Sequence, residues 1–544
     1  MHTTHIDMEN VLNNLPHNLK SVFLNYYASL KSSEPKTNII YCFDIDLKRN
    51  LLGFIFFSET ITHNIKFFDD KQQNIFVNFE RTALYSFDHN IKRYAHIFWI
   101  AFTKNSIISV KNNNKSIKII CNNNVHYTIH TEYLTKIFNA PLRKKITHKL
   151  FAFIAQLSFI KNKYENTWIF SDRPDKADDN AEHLYRWVRA NIPSQKIFFV
   201  IDKNSKDWQR LKKDNFNLIN LYSLEYAFAF MHCNWLISSH SFGALNKTGW
   251  RMLYADIVNH QFCFLQHGII KDYMPQIARR NIDLFVTSTV REHESLAKSE
   301  SYAYCLSEKE VVLTGLPRHD ILLKKTESIL KEKIIFIMPT WRQYLTDENI
   351  TFTAQSTEQS FKDSLFYKNW FNILTDKMFL NLLTEYGYSI YFKIHPCFQS
   401  YLSDFEFTNC SQINMVFDNQ NDTQSIQDIL VRSSLLITDY SSIAMDFALL
   451  KKPVIYFQFD QEEFFEHHSC KKGYFDYKKD GFGEVATVYS ELNALLESYL
   501  KNDCQLKEKY KKRIESFFCF FDQNNCQRVY DSIIEFSKPI NNKN

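Results

Sequence analysis

Residues 435–446 read LLITDYSSIAMD. Four consecutive apolar or β-branched residues are the length of a buried strand, and the polar group behind them, Asp439, Tyr440, Ser441 and Ser442, marks a tight turn. Apolar positions then recur at helical spacing to Leu450, and PVIYF at 453–457 reads as a further strand. The pattern predicts strand, turn, helix and parallel strand, the repeating unit of a doubly wound α/β sheet. Ser441 or Ser442 is placed to cap the helix. Free N–H groups at such a start, with the hydroxyls, suit a phosphate. Taken alone, the pair reads first as an ordinary cap with no ligand.

Working outward, short apolar runs at 333–338, 389–394, 414–417, 435–438 and 453–457 alternate with helical stretches. An earlier series, 167–171, 196–201, 235–239, 262–266, 284–288 and 311–314, has helical stretches such as 181–190 and 224–231 among its strands. Two consecutive doubly wound α/β domains are predicted, 166–325 and 326–544. A ligand crevice belongs between them, at the carboxyl ends of the strands. Up to residue 139 the pattern is different. A short helix near 19–30 precedes alternating runs at 39–43, 52–57, 74–79, 96–102 and 115–121, which predicts a small β-rich accessory domain over 1–139. Residues 140–165 connect the two regions through APLRKKITHKLFAFIAQLSFIKNK, basic at both ends and apolar between. This connector reads either as an interfacial helix drawn to anionic lipid or as a linker helix packed on the next domain.

Composition removes several classes of function. A formal charge of +5 over 544 residues is too small for a dedicated nucleic-acid binder but compatible with anionic substrates or a membrane surface. The eleven cysteines contain no CxxC pair, so a disulfide framework or zinc knuckle is not expected, and a reducing compartment fits. With a polar, acidic N-terminus and no apolar run of bilayer length, the expected location is cytoplasmic, in solution or peripheral on the membrane's inner face.

Polar residues at strand ends carry the candidate chemistry. Arg342 follows the 334–338 run after Pro339, Thr340 and Trp341, where a planar guanidinium could pair with phosphate oxygens. His395 ends the 389–394 run and could donate to a phosphate or move a proton. His267 ends the 262–266 run, and Gly268 beside it leaves room for close approach, making His267 the candidate general base. Asp172 and Arg173, at the end of the 167–171 run, are further acceptor-side candidates. Three other signals read blandly. Asp44 and Asp46 have D-x-D spacing but sit among the N-terminal strands. His467, His468 and Cys470 lack a second ligand pair, so no metal is expected there. Asp178, Asp179 and Asn180 read as the cap of the helix that follows.

Taken together, QHG (266–268), GLPRHD (315–320), MPTWR (338–342), KIHP (393–396), ITDYSSIAMDFALLKKPVIYF (437–457) and GYFDY (473–477) resemble, in this order, the CDP-glycerol glycerophosphotransferase family of teichoic-acid and capsule polymer synthesis. The likeness runs over roughly 168–500, and SDRPDKADDNAEHLYRWV (171–188) is similar to the start of the acceptor domain in capsule-associated members. It implies a GT-B-like pair of Rossmann-like domains and a CDP-glycerol or CDP-ribitol donor held by the second of them. It further implies an acceptor hydroxyl, on a polymer or a lipid-linked chain, attacking the phosphorus with CMP leaving. His267 would take the hydroxyl proton. His395, Arg342, Thr340, Thr438 and the Ser441–Ser442 helix start would hold the pyrophosphate, and Asp439 would orient a neighbour or meet a donor hydroxyl. No metal or other cofactor is required. The family commonly has Trp before His-Gly where this chain has Leu265 and Gln266, a departure that bears on the acceptor. Two alternatives stay open, a GT-B glycosyltransferase using a nucleotide sugar and a non-catalytic polymer-binding scaffold.

Overall fold

The structure, a computed structural model, describes residues 17–30, strand residues between 39 and 130, and 145–538 apart from stretches within 242–259, 275–281, 299–305, 347–360, 396–410 and 417–424. In the N-terminal region lie helix α1 (His17–Leu30) and strands β1 (Ile39–Asp46), β2 (Leu51–Ser58), β3 (Lys66–Asp69), β4 (Asn74–Ile75), β5 (Val77–Ser86), β6 (Lys92–Ala101), β7 (Ile117–Ile120) and β8 (Thr128–His130). One sheet runs β5-β6-β2-β1-β8, antiparallel except for the β1–β8 pair, and β4-β3-β7 forms a smaller one. Leu19, Val22, Phe23 and Tyr26 share one face of α1 and bury it, with Phe23 edge-on to Phe57 at 4.9 Å. Asp44 and Asp46 belong to β1, and Asp46 accepts the Arg49 backbone N–H at 3.0 Å.

The connector is two helices rather than one, α2 (Ile146–Ala155) and α3 (Ser158–Tyr164), interrupted at Gln156 and the extended Leu157. Residues 140–144 lie outside the described ones.

The first α/β unit contains β9 (Thr167–Ser171), α4 (Asn180–Asn191), β10 (Lys196–Ile201), β11 (Leu218–Asn220), α5 (Leu224–His232), β12 (Trp235–Ser238), β13 (Gln261–Phe264), β14 (Leu284–Thr287), α6 (Val290–Ala297), β15 (Val311–Leu313) and α7 (Pro317–Thr326). Its parallel sheet has the order β11-β10-β9-β12-β13-β14-β15. The second contains β16 (Ile334–Ile337), β17 (Ser389–Phe392), β18 (Ile413–Met415), α8 (Ile426–Arg432), β19 (Leu435–Thr438), α9 (Ile443–Leu449), β20 (Val454–Phe457), α10 (Gln461–His467) and β21 (Gly483–Ala486), with sheet order β18-β17-β16-β19-β20-β21, again parallel. Strands β9, β12, β16 and β19 are buried at every position, as a sheet covered by helices on both faces requires. In each sheet the winding reverses between two adjacent strands, β9 and β12 in the first, β16 and β19 in the second. Both reversals open a crevice at the carboxyl ends.

The last helix corrects the division at 325 and 326. Helix α11 (Asn525–Phe536) returns to the first unit, where Tyr530 lies 5.6 Å from both Trp168 and Trp187 and Trp235 donates through Nε1 to Ser537 Oγ at 3.1 Å. Asp320 accepts the N–H groups of Asn525 and Cys526 at 2.9 and 2.8 Å, satisfying two orphan donors at the start of α11. Val529, Ile533 and Phe536 are buried, and Phe536 lies edge-on to Trp235 of the first sheet at 5.6 Å. Arg49 stacks on Phe536 and donates to the Lys309 carbonyl at 3.1 Å, which seats the β-rich domain against the same region.

Candidate active site

Both crevices open into one cleft of about 840 Å³ between the α/β units. On the acceptor wall, β13 ends in Leu265, Gln266, His267 and Gly268. Gln266 has φ 63°, a left-handed conformation uncommon for a residue with a side chain. The surrounding bonds hold it there. Asn180 Nδ2 donates to the Gln266 carbonyl at 2.8 Å, Arg318 donates to the His267 carbonyl at 2.7 Å, and buried Glu292 accepts from Gln266 Nε2 at 3.1 Å and from the Ile270 N–H at 2.7 Å.

His267 is open to the cleft, yet both units crowd round it. That desolvation, then the neighbouring His240 and Arg318 charges, lower its proton affinity below the ordinary histidine value, while a hydrogen bond to the Ser239 carbonyl opposes them. The neutral ring this favours carries one unprotonated nitrogen, which can accept. His240 stacks on His267 at 4.3 Å with the rings 11° apart, and its Nε2 lies 3.6 Å from Asp179.

Arg318, in the first turn of α7, is the junction of the site. Its guanidinium meets Asp179 at 2.7 Å and both oxygens of Asp446, on α9 of the second unit, at 3.1 and 2.8 Å. His319 Nε2 joins Asp446 at 2.9 Å. The strand end that carries His267 and the helix that follows Ser442 are therefore held by one side chain. Burial alone would raise the Asp179 carboxyl, but Arg318 and His240 outweigh it and hold it well below the usual range. In the sequence Arg318 and Asp446 stand inside the GLPRHD and ITDYSSIAMD motifs, where neither has an assigned role. The available signal was a basic pair, Arg318-His319, directly behind a strand end.

Asp172 lines the cleft but serves α4. It accepts the N–H groups of Ala181, Glu182 and Asp179 at 2.9, 3.2 and 3.1 Å and the hydroxyl of Ser239, so its oxygens are spent on a helix start. Burial, then the Asp179 charge, push its carboxyl well above the usual range. The expected cap, Asp179, turns its carboxylate to Arg318 and to its neighbour's N–H. Arg173 stands at the mouth of the cleft, in an exposed pair with Asp175 at 3.0 Å.

On the donor wall three expectations are corrected. Arg342 is fully buried behind the wall. It meets Asp460 at 2.8 and 3.1 Å and Asp439 at 2.9 Å, and it donates to the Thr340 carbonyl at 2.7 Å. Tyr440 and Phe464 cover its faces at 5.2 and 4.8 Å, so its fork has no path to a phosphate. Asp439 is sealed with it and accepts the Thr340 N–H at 2.8 Å, while Thr438 Oγ1 donates to the Met338 carbonyl at 2.6 Å. Neither lines the cleft, because the carboxyl ends of β16 and β19 are stitched together through them.

What does line it is Thr340, Trp341, His395, Ser441 and Ser442. Thr340 Oγ1 is buried without a partner. Ser441 Oγ is 3.4 Å from the Ile443 N–H and Ser442 makes no capping bond, so both hydroxyls remain available at the start of the seven-residue α9. The Trp341 ring lies over His395 at 5.6 Å and 20°. His267 with Gly268 thus faces a wall of hydroxyls and imidazole, an arrangement that can deprotonate a hydroxyl on one side and hold an anionic leaving group on the other.

The family model described as CDP-glycerol:poly(glycerophosphate) glycerophosphotransferase matches residues 150–535. The minor teichoic acid biosynthesis protein GgaB of Bacillus subtilis is 35% identical over 382 residues, 69% of this chain and 40% of that protein. The teichoic acid poly(ribitol-phosphate) polymerase of Bacillus spizizenii is 25% identical over 266 residues, 47% of this chain and 39% of that one. The chain thus spans about 40% of the length of these two relatives. Among solved structures, the wall teichoic acid polymerase TagF aligns with 73% of this chain and 94% of its own at 18% identity and a TM-score of 0.48. The chain belongs to the CDP-glycerol:poly(glycerophosphate) glycerophosphotransferase family.

Proposed function

We propose that the protein transfers glycerol phosphate or ribitol phosphate from a CDP-linked donor to an acceptor hydroxyl and releases CMP. The observation that carries this reading is the opposition of His267 to the Thr340, Ser441, Ser442 and His395 wall across one cleft. The free ring nitrogen of His267 takes the acceptor's proton as its oxygen bonds to the phosphorus bearing the polyol. The bond from that phosphorus to the CMP oxygen breaks, and His395 with the hydroxyls offsets the charge gathering on CMP. The reading assigns charge neutralisation to protein groups and calls for no resident metal.

The acceptor is proposed to be a polymer or lipid-linked chain presented at a membrane surface. Supporting this, Ile146, Leu150, Phe153 and Phe159 on α2 and α3 are 81, 57, 67 and 72% exposed, with Lys145, Lys149, Lys161 and Lys163 among them. Lys163 pairs with Glu225 at 2.8 Å, so exposed Leu224 and Tyr222 lie beside the same surface. Apolar side chains set among lysines suit an anionic interface. No described helix is long and apolar enough to cross a membrane.

The test is CMP release from purified protein offered CDP-glycerol or CDP-ribitol, with and without an oligomeric acceptor and with a chelator present. Turnover of a nucleotide sugar instead, or none of either CDP-polyol, would reject the proposal.

A further inference from the structure

Trp341 carries two imidazoles. His395 stacks on its face, and His468, at the C-terminal end of α10, meets it edge-on at 4.9 Å and 74°. Phe464 covers the flat side of His468 at 4.6 Å and 18°, which leaves the ring 9% exposed and fixed in orientation. Its Nδ1 accepts the Gln343 N–H at 3.4 Å. An acceptor at Nδ1 places the ring proton on Nε2. That Nε2 donates to no described residue, and His468 lines the cleft together with Thr340 and His395. On the same wall Thr340 Oγ1 is buried without a partner. Buried polar atoms are nearly always satisfied, so the unpartnered Thr340 hydroxyl, with the His468 Nε2–H beside it on the cleft, points to a ligand that supplies acceptors.

We infer that His468 Nε2–H and Thr340 Oγ1–H donate to the phosphoryl oxygens of a nucleoside diphosphate, making His468 a donor-binding residue alongside His395. The inference rests on the proposed CDP-polyol reading and adds residues to its site. Burial, then the Arg342, Lys271 and His395 charges, lower the His468 proton affinity to about 4. The ring therefore stays neutral near pH 7 and supplies a directed hydrogen bond rather than a charge, unlike a lysine or arginine in the same place. Its neighbour His467 points elsewhere, with a side chain 53% exposed and a ring 5.8 Å from Tyr344.

The test is calorimetric binding of CDP and of cytidine to the full chain, in the wild type and in His468→Phe, His468→Gln and His467→Ala. His468→Phe keeps the stacking and loses the donor, and is expected to weaken CDP by about tenfold while leaving cytidine unchanged. His468→Gln places an amide N–H where Nε2 stood and should recover most of that loss, and His467→Ala should bind as the wild type does. Because the ring does not titrate near neutrality, the loss in His468→Phe should be the same at about pH 6 and about pH 8. A CDP affinity within about twofold of wild type, or an equal loss for CDP and cytidine, overturns the inference. A wild type that binds no CDP at all sinks the donor reading itself and this inference with it, a result distinct from either.

Discussion

Gly268 and Ser442 meet across the cleft. A Cβ built on Gly268 would stand 2.4 Å from Ser442 Oγ and 3.0 Å from Ser442 Cβ, too close for either atom to remain in place. The His-Gly turn of the first unit and the serine turn of the second thus close on each other, and the glycine is needed for lack of volume.

Gly268→Ala should therefore push Ser442 away, lowering both CMP release and the melting temperature. Ser442→Gly in the same chain removes the obstructing atoms. The double variant should recover the melting temperature but not the activity. Calorimetric melting of the two variants checks this, and a double variant no more stable than Gly268→Ala would contradict it.

Asp446→Asn should disable the junction at Arg318. Asparagine removes one of the two carboxylates that offset the buried Arg318 and leaves Asp179 alone to do so, a loss below the roughly 3–5 kcal/mol of a fully broken buried pair. Arg318 also holds the His267 carbonyl, so the turnover number should fall even where the variant is still folded, with donor affinity changed less. Denaturant unfolding together with steady-state kinetics separates the two effects. A turnover number equal to wild type would dissociate Arg318 from the base.

Arg342→Ala should act on the fold. Asp439 and Asp460 would be left as buried, unpaired carboxylates, with a destabilisation again of about 3–5 kcal/mol. The measurement is urea unfolding. A normally stable variant that binds CDP poorly would return Arg342 to the phosphate site.

The pH dependence follows from His267. Its folded-state proton affinity lies below the ordinary value because of desolvation and the nearby His240 and Arg318 charges. The neutral, basic form therefore persists on the acid side of the usual histidine range, and the free-enzyme rate should stay flat down to about pH 6. The unfolded chain takes up this proton near pH 6.5 and the folded chain only below it, so His267 makes stability fall as pH drops through that window. A rate inflection at or above pH 6.5 would contradict this.

Replacing Ile146, Leu150, Phe153 and Phe159 together by Glu should abolish co-flotation with vesicles containing anionic lipid. CMP release with a soluble acceptor should persist, because these side chains lie on the outer surface away from the cleft. Undiminished flotation would place the membrane contact elsewhere.

Local information was enough for the sheets. LLIT, IIFI and TWIF are apolar runs that only a doubly covered strand can bury, and the serine turn after the first of them falls where the helix begins. The strand ends, and with them His267, His395, Ser441 and Ser442 on the cleft, were legible from that periodicity and from the motifs. The connector's break at Gln156 and Leu157 was not, because its apolar spacing continues through the interruption.

What the sequence determined by itself is which residues stand at the carboxyl ends of strands, since burial and turn chemistry are properties of neighbours in the chain. What only the tertiary structure decided is where their side chains go. Arg342 and Arg318 each follow a strand by a few residues and look alike in sequence. One is turned inward by Asp460, 118 residues away, and the other is drawn across the domain junction by Asp446, 128 residues away. A charged group takes the partner that best offsets its desolvation, and that partner is set by packing rather than by sequence distance.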